Sequence, residues 1–144
     1  MNDNFKTITI LLVEDSESDT RLIKEFLKEA DFNSVLYTVT DGIEALDFLY
    51  MHCEHNCPDL VILDLNLPRM SGIEVLKEIK NEDKLKRIPV IVLTTSTTEE
   101  DVKNCYNNYA NCYLVKPASL DEFAKVMNSI KEFWFNIVKL PSTI

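Results

Sequence analysis

Five short apolar runs, each separated from the next by a stretch with helical spacing, restrict this chain to a parallel α/β sheet. The runs are Ile8–Val13, 35–39, Leu60–Leu63, 90–93 and Cys112–Val115. Strands buried on both faces read as near-continuous apolar segments. Each gap between them is long enough for a helix that returns the chain to the same edge of the sheet. Four runs end in residues suited to phosphoryl chemistry: the first at Glu14 and Asp15, the third at Asp64, the fourth at Thr94 and the fifth at Lys116. Ligands of open α/β sheets bind outside the carboxyl ends of the strands. The sequence therefore predicts three carboxylates, a hydroxyl and an ammonium in one crevice.

Local signals place the helices. Leu22, Ile23, Phe26, Leu27 and Ala30 share one face after the first run. Thr40-Asp41-Gly42 turns the chain into a helix carrying Ile43, Ala45, Leu46 and Leu49. Ser71-Gly72-Ile73-Glu74 fits a capping box, and the helix it opens buries Ile73, Val75, Leu76 and Ile79. Thr97-Thr98-Glu99-Glu100 fits a second box, opening a helix with Val102, Tyr106 and Tyr109; Ser119-Leu120-Asp121-Glu122 gives a third capping signal. The last helix is long and aromatic. Leu120, Phe123, Met127, Ile130, Trp134 and Ile137 form a stripe flanked by Phe133 and Phe135, ending near Lys139-Leu140-Pro141 with a frayed tail over 142–144. A surface helix needs one apolar face, so the extra aromatics imply burial against a tail or another chain.

At 144 residues the chain is read as one domain, with a core over about 8–130 and a C-terminal helix extension over 131–144. No linker, repeat, low-complexity stretch or room for an output domain is evident. A net charge of −9, with no Lys/Arg run, argues against a nucleic-acid surface. No apolar stretch approaches the roughly 20 residues of a membrane span. Residues 1–7 are polar and acidic, unlike a signal peptide, and the expected compartment is the cytosol. Cys53, Cys57, Cys105 and Cys112 are too irregular for a disulfide scaffold. The segment His52-Cys53-Glu54-His55-Asn56-Cys57 offers metal-ligand types, but it lacks a second cluster to complete a four-ligand set. A polar loop with unpaired thiols is the favoured reading there.

A carboxylate at a strand end can act as a nucleophile toward phosphorus and form an acyl phosphate. Three carboxylates in one crevice repel one another and resist full ionisation. A divalent cation such as Mg²⁺, which prefers oxygen ligands and binds through carboxylates and phosphate oxygens, removes that conflict. Thr94 and Lys116 supply donors for the phosphoryl oxygens. Singly, the acidic pair can also be read as a helix N-cap, though that is the lesser reading, Thr94 as an ordinary strand residue and Lys116 as a surface lysine. Their joint placement at neighbouring strand ends carries the signal.

The motifs Leu12-Val13-Glu14-Asp15, Asp64-Leu-Asn-Leu-Pro68 with Gly72, Leu93-Thr94-Thr95 and Tyr113-Leu-Val-Lys116-Pro117 resemble those of a two-component response regulator receiver domain. The resemblance spans residues 8–130. It implies a flavodoxin-like, five-stranded parallel doubly wound fold. It implies that Asp64 accepts phosphoryl from a histidine kinase. Asp15, Asp64 and the Asn66 carbonyl would ligate Mg²⁺ (or Mn²⁺), with Glu14 acting directly or through water. Thr94 would move to the phosphoryl group, Lys116 would pair with one of its oxygens, and Tyr113 would rotate as the switch aromatic. A cis peptide at Lys116-Pro117 would aim the lysine.

Thr95 stands where the family usually has a smaller residue, narrowing access to Asp64. Ser96 and Asn66, at positions the family uses to tune phosphoryl lifetime, are not carboxylates, which implies a phosphorylated state that is not short-lived. The C-terminal aromatics and the Leu93-Thr-Thr-Ser96 segment are similar to stand-alone regulators partnered with phytochrome-type kinases, which often dimerise. The implied partners are a sensor kinase, a downstream protein or phosphotransfer protein, and a second copy. The implied activity is signalling without turnover. The alternatives are a relay that passes phosphoryl onward, a haloacid-dehalogenase-like phosphatase, whose Asp-x-Asp-x-Thr at the first strand is not matched, and a non-signalling interaction domain.

Overall fold

A computed structural model of the chain describes residues 7–28 and 33–141. The elements alternate: β1 (Ile8–Val13), α1 (Glu17–Lys28), β2 (Ser34–Val39), α2 (Gly42–His52), β3 (Leu60–Leu63), α3 (Gly72–Asn81), β4 (Val90–Thr94), α4 (Glu99–Asn107), β5 (Cys112–Val115) and α5 (Leu120–Ile130). A π-helical segment, Lys131–Ile137, continues α5. All strands pair in parallel in the order β2-β1-β3-β4-β5. This is the parallel sheet expected from the strand–helix alternation, in the doubly wound, flavodoxin-like order that the resemblance implied. Among the described residues no helix is long and apolar enough to cross a membrane.

The strand period of two sorts side chains into two cores. Leu11, Val13, Val61, Leu63, Val90 and Val92 face α2, α3 and α4, whose buried contributions include Leu49, Leu76 and Cys105. Ile10, Leu12, Leu60, Ile62, Ile91 and Leu93 face α1 and α5, meeting Ile23, Leu27, Phe123, Met127 and Ile130. Covering both faces explains the unbroken apolar runs of β3 and β4, every residue of which is buried. The chain reverses its winding between β1 and β3, and the crevice there receives whatever follows Val13 and Leu63.

Local capping follows the sequence closely. The Ser71 hydroxyl accepts from the Glu74 N–H, and the Glu74 carboxylate accepts from the Ser71 N–H, closing the expected box. Ser119 caps α5 through the Glu122 N–H. Gly72 is required by a close approach, since a Cβ there would overlap the Asp64 carbonyl. That contact seats α3 against the end of β3.

Several expectations are corrected. The α4 cap is Thr98, which accepts from Asp101, one residue later than the box read from sequence. Tyr109 lies beyond α4 at φ 68°, in the left-handed region where helices commonly terminate, and is exposed; Cys105 is the buried residue of α4. Ile43, placed on the apolar face of α2, is exposed. The C-terminal stripe holds at Phe123, Met127, Ile130 and Trp134, whereas Leu120 and Ile137 at its two ends are exposed. From Lys131 the backbone bonds widen, as in Val138 N–H to the Phe133 carbonyl (2.8 Å), an i to i+5 bond. Lys131 and Trp134 turn inward while Phe133 and Ile137 face out. The Lys131 ammonium donates to the Phe26 carbonyl (2.8 Å) near the end of α1, tying the segment to that helix. Cys53 and Cys57 form a disulfide across the turn after α2, in place of the unpaired thiols expected. The neighbouring His52 ring stacks on Phe48, and its Nδ1 lies 3.0 Å from the Phe48 carbonyl. Ala30 and the tail over 142–144 lie outside the described residues.

Candidate functional site

The register brings the strand ends together. Val13 pairs with Leu63, and the Asp64 N–H donates to the Val13 carbonyl (3.0 Å), so Glu14 and Asp64 leave adjacent strands at the same level. Thr94 pairs with Val115, and the Lys116 N–H donates to the Thr94 carbonyl (2.7 Å). Glu14, Asp15 and Asp64 present carboxylate oxygens within 4.8 Å of one another. Glu14 and Asp64 are buried, while Asp15 is exposed at the mouth.

Lys116 joins Glu14 and Asp64 to a further carboxylate, Asp19. Its ammonium lies 2.6 Å from Glu14 Oε1, 2.9 Å from Asp19 Oδ2 and 3.2 Å from Asp64 Oδ2. Its side chain is 5% exposed, so water supplies little alternative solvation. Burial works against the Lys116 charge, yet the hydrogen bonds to Glu14 and Asp19 outweigh it and raise its pKa. Burial, helped by the charge of Asp64 and opposed by the Lys116 hydrogen bond, pushes the Glu14 carboxyl up to about 7. The Lys116–Pro117 peptide is trans, not cis as the resemblance implied. The lysine is aimed by its own N–H bond to Thr94 and by three carboxylates, so the less favoured isomer is not needed.

The remaining expected residues surround this centre. Asp64 Oδ1 accepts from the Leu65 N–H (2.7 Å) and, more weakly, the Asn66 N–H (3.4 Å), which fixes the carboxylate. Asn66 is exposed. Thr94 is fully buried, and its hydroxyl oxygen accepts from the Ser96 N–H (3.4 Å). The half-buried Tyr113 donates its hydroxyl to the Ser96 carbonyl (2.9 Å). The loop at Ser96 thus touches both Thr94 and Tyr113, and the Ser96 hydroxyl is bonded to Asp101 on α4. Thr95 is exposed and lines a cavity with Asp19, Lys116 and Pro117.

Two contributors escaped the sequence. Asp19, in the first turn of α1, is the third partner of Lys116. Asp41, the N-cap of α2, receives two hydrogen bonds from Arg69 (3.0 and 3.2 Å), which sits at φ 65° in the loop following Asp64. The Arg69 hydrogen bonds and the Glu44 N–H hold the Asp41 carboxyl below its ordinary range. This clamp fastens the loop after Asp64 to α2.

The donor set suits a hard divalent cation. It is all oxygen, clustered, and carries more negative charge than one ammonium neutralises. Cys53, Cys57, His52 and His55 form no such cluster among the described residues.

The response regulator receiver domain family matches residues 10–128. The response regulator Rcp1 of Synechocystis sp. is 46% identical over 136 residues, covering 92% of each chain. The probable methanogenesis regulatory protein FilR2 of Methanothrix harundinacea is 40% identical over 134 residues, covering 92% of this chain and 86% of that one. Two solved structures align over nearly the whole chain. The Mn(2+)-bound form of Rcp1 has TM-score 0.89 at 45% identity, covering 94% of this chain and 99% of that one. The phosphorylated cyanobacterial phytochrome response regulator RcpA has TM-score 0.91 at 43% identity, covering 95% and 100%.

Proposed function

The chain belongs to the response regulator receiver domain family, and from that premise we propose that Asp64 is its phosphoacceptor. The observation that carries the reading is the buried Asp64 carboxylate, held by the Leu65 N–H on one oxygen and facing Lys116 with the other. An Asp64 oxygen forms a bond to phosphorus as the P–N bond of a kinase phosphohistidine breaks, the electron pair staying on the imidazole nitrogen. Glu14, Asp15, Asp64 and the Asn66 carbonyl are the proposed ligands of Mg²⁺ or Mn²⁺. Bound there, the ion would neutralise charge on the phosphoryl oxygens.

The protein's own part is positioning. Lys116 exchanges its Asp64 contact for a phosphoryl oxygen. Thr94 turns its hydroxyl to another. Because the Thr94 hydroxyl and the Tyr113 hydroxyl both hold Ser96, moving Thr94 frees Tyr113 to rotate. New charge at Asp64 therefore biases a two-state loop ahead of α4. The partner upstream is a histidine kinase; the likeness to RcpA, described as a phytochrome response regulator, supports a phytochrome-type kinase. Residues 8–130 serve as the receiver core and 131–144 as its extension. The readout is contact with another protein, without turnover.

Uptake of one phosphoryl group per chain from acetyl phosphate, followed by intact mass, tests the reading. Labelling is expected with Mg²⁺ and absent with excess chelator. Lacking a carboxylate at Asn66 or Ser96, the product should persist for minutes or longer, so loss within seconds would count against that part.

The proposed partner set includes a second copy, seated on the apolar groove of about 480 Å³ lined by Cys112, Leu114, Val126, Ile130, Phe133 and Trp134. Phe133 in this lining is half exposed. Sedimentation at tens of micromolar should show a dimer, and Phe133→Glu should convert it to monomer. Monomeric wild type, with and without phosphoryl, would remove this partner.

A further inference from the structure

We propose that Asp19 is a positioning residue that tethers Lys116 in its resting place and so limits how readily the lysine turns to an incoming phosphoryl group. The inference rests on Asp64 being the phosphoacceptor. An ammonium has three N–H donors. In the resting structure Glu14, Asp19 and Asp64 take one each, at 2.6, 2.9 and 3.2 Å. No donor is left over, and the side chain is too buried for water to replace one cheaply. A phosphoryl oxygen gains Lys116 only when a carboxylate yields it.

The three carboxylates are not equivalent. Glu14 and Asp64 belong to the cluster that suits a divalent cation, and Asp19 does not. Phosphorylation consumes one Asp64 oxygen, which weakens that claim on the lysine. Asp19 is chemically unchanged by that step. It also has different surroundings. Asp19 and Lys116 together line a cavity of about 210 Å³ with Thr95, Pro117, Leu120 and Phe123, which neither Glu14 nor Asp64 lines. An acid in the first turn of a helix is ordinarily explained by the helix dipole alone. Glu17, in the same turn, fits that explanation: it is exposed and pairs only loosely with Arg21 at 3.7 Å. Asp19 instead spends its carboxylate on a buried lysine 97 residues away.

The test measures phosphoryl uptake from acetyl phosphate and loss after donor removal, in Mg²⁺, for wild type, Asp19→Asn, Asp19→Glu and Glu17→Gln. Asp19→Asn should take up phosphoryl roughly threefold to fivefold faster, and lose it more slowly by a similar factor, the scale of one partly exposed ion pair. Asp19→Glu, which keeps the charge, should lie nearer wild type. Glu17→Gln removes the same charge from the same turn and should match wild type. A merely structural Asp19 would give a variant that is slower or unchanged, because damage to a site does not speed it. Uptake in Asp19→Asn equal to or below wild type, or an equal gain in Glu17→Gln, overturns the tether. Wild type that takes no phosphoryl at all overturns the Asp64 reading and the tether with it; labelled wild type with an unresponsive Asp19→Asn overturns the tether alone.

Discussion

Asp64→Asn protein, incubated with acetyl phosphate and Mg²⁺, should remain at its unmodified mass under conditions that label the wild type fully. The amide preserves shape: it can still accept the Leu65 N–H that holds Asp64 Oδ1 at 2.7 Å. What it loses is the nucleophilic oxygen and one negative charge. The fold should survive and gain slightly, because the crevice holds more carboxylates than Lys116 can neutralise. Loss of labelling with an unchanged or raised thermal midpoint is thus the joint expectation. Residual stoichiometric labelling would move the acceptor to another residue. Loss of labelling with unfolding would leave Asp64 in a structural role.

Lys116→Ala should be the most destabilising of the site substitutions. It removes the partner of Glu14 and Asp64, whose side chains are 2% and 7% exposed. Breaking a buried pair from one side strands the opposite charge, at a cost of about 3–5 kcal/mol. For a chain of this size that is on the order of 10 °C in thermal midpoint. The deficit should depend on pH. The Glu14 carboxyl already sits at about 7 in the folded wild type, above its ordinary 4.5. A carboxyl with a raised folded pKa contributes stability that is complete below the unfolded value and is lost as pH rises through the folded one. Without Lys116 to lower it, the folded pKa is higher still, so the loss continues to higher pH and is larger in the variant. The gap between Lys116→Ala and wild type should therefore narrow as pH falls from about 8 toward 5.5, and Mg²⁺ should narrow it because the crevice without the ammonium binds the ion more tightly. A gap independent of both pH and Mg²⁺ would mean that the loss is one of packing, not charge.

Much of this was legible in the sequence because the relevant signals are local. Ile8–Val13 and Leu60–Leu63 read as buried strands since both faces are covered. Ser71 and Ser119 cap helices whose partners lie three residues on. The strand-end residues Glu14, Asp64, Thr94 and Lys116 followed from the topology, which the register then brought to one edge. Asp19 was missed because its partner is distant in sequence and an acid in a first helical turn needs no special reason. The Asp41–Arg69 clamp was missed because it joins two loops, and loop conformation is not encoded in periodicity. Trp134 and Ile137 were given one face on the assumption of uniform α-helical spacing, and the shift to i to i+5 bonding after Ile130 separated them. Cys53 and Cys57 were judged with the other two cysteines as a sparse, irregular set, whereas residues four apart at a helix end are neighbours whatever the rest of the chain does. Tyr109 fell beyond a helix that ended in a left-handed residue with no glycine to announce it.

Locating the phosphoryl group on wild-type protein, by trapping the acyl phosphate after exposure to acetyl phosphate and Mg²⁺ and sequencing the modified peptide by mass spectrometry, addresses the site most directly. The expected outcome is one modification, at Asp64, that disappears with chelation. Modification at Glu14, Asp15 or a hydroxyl such as Thr94, or none on folded protein with the ion present, would contradict it.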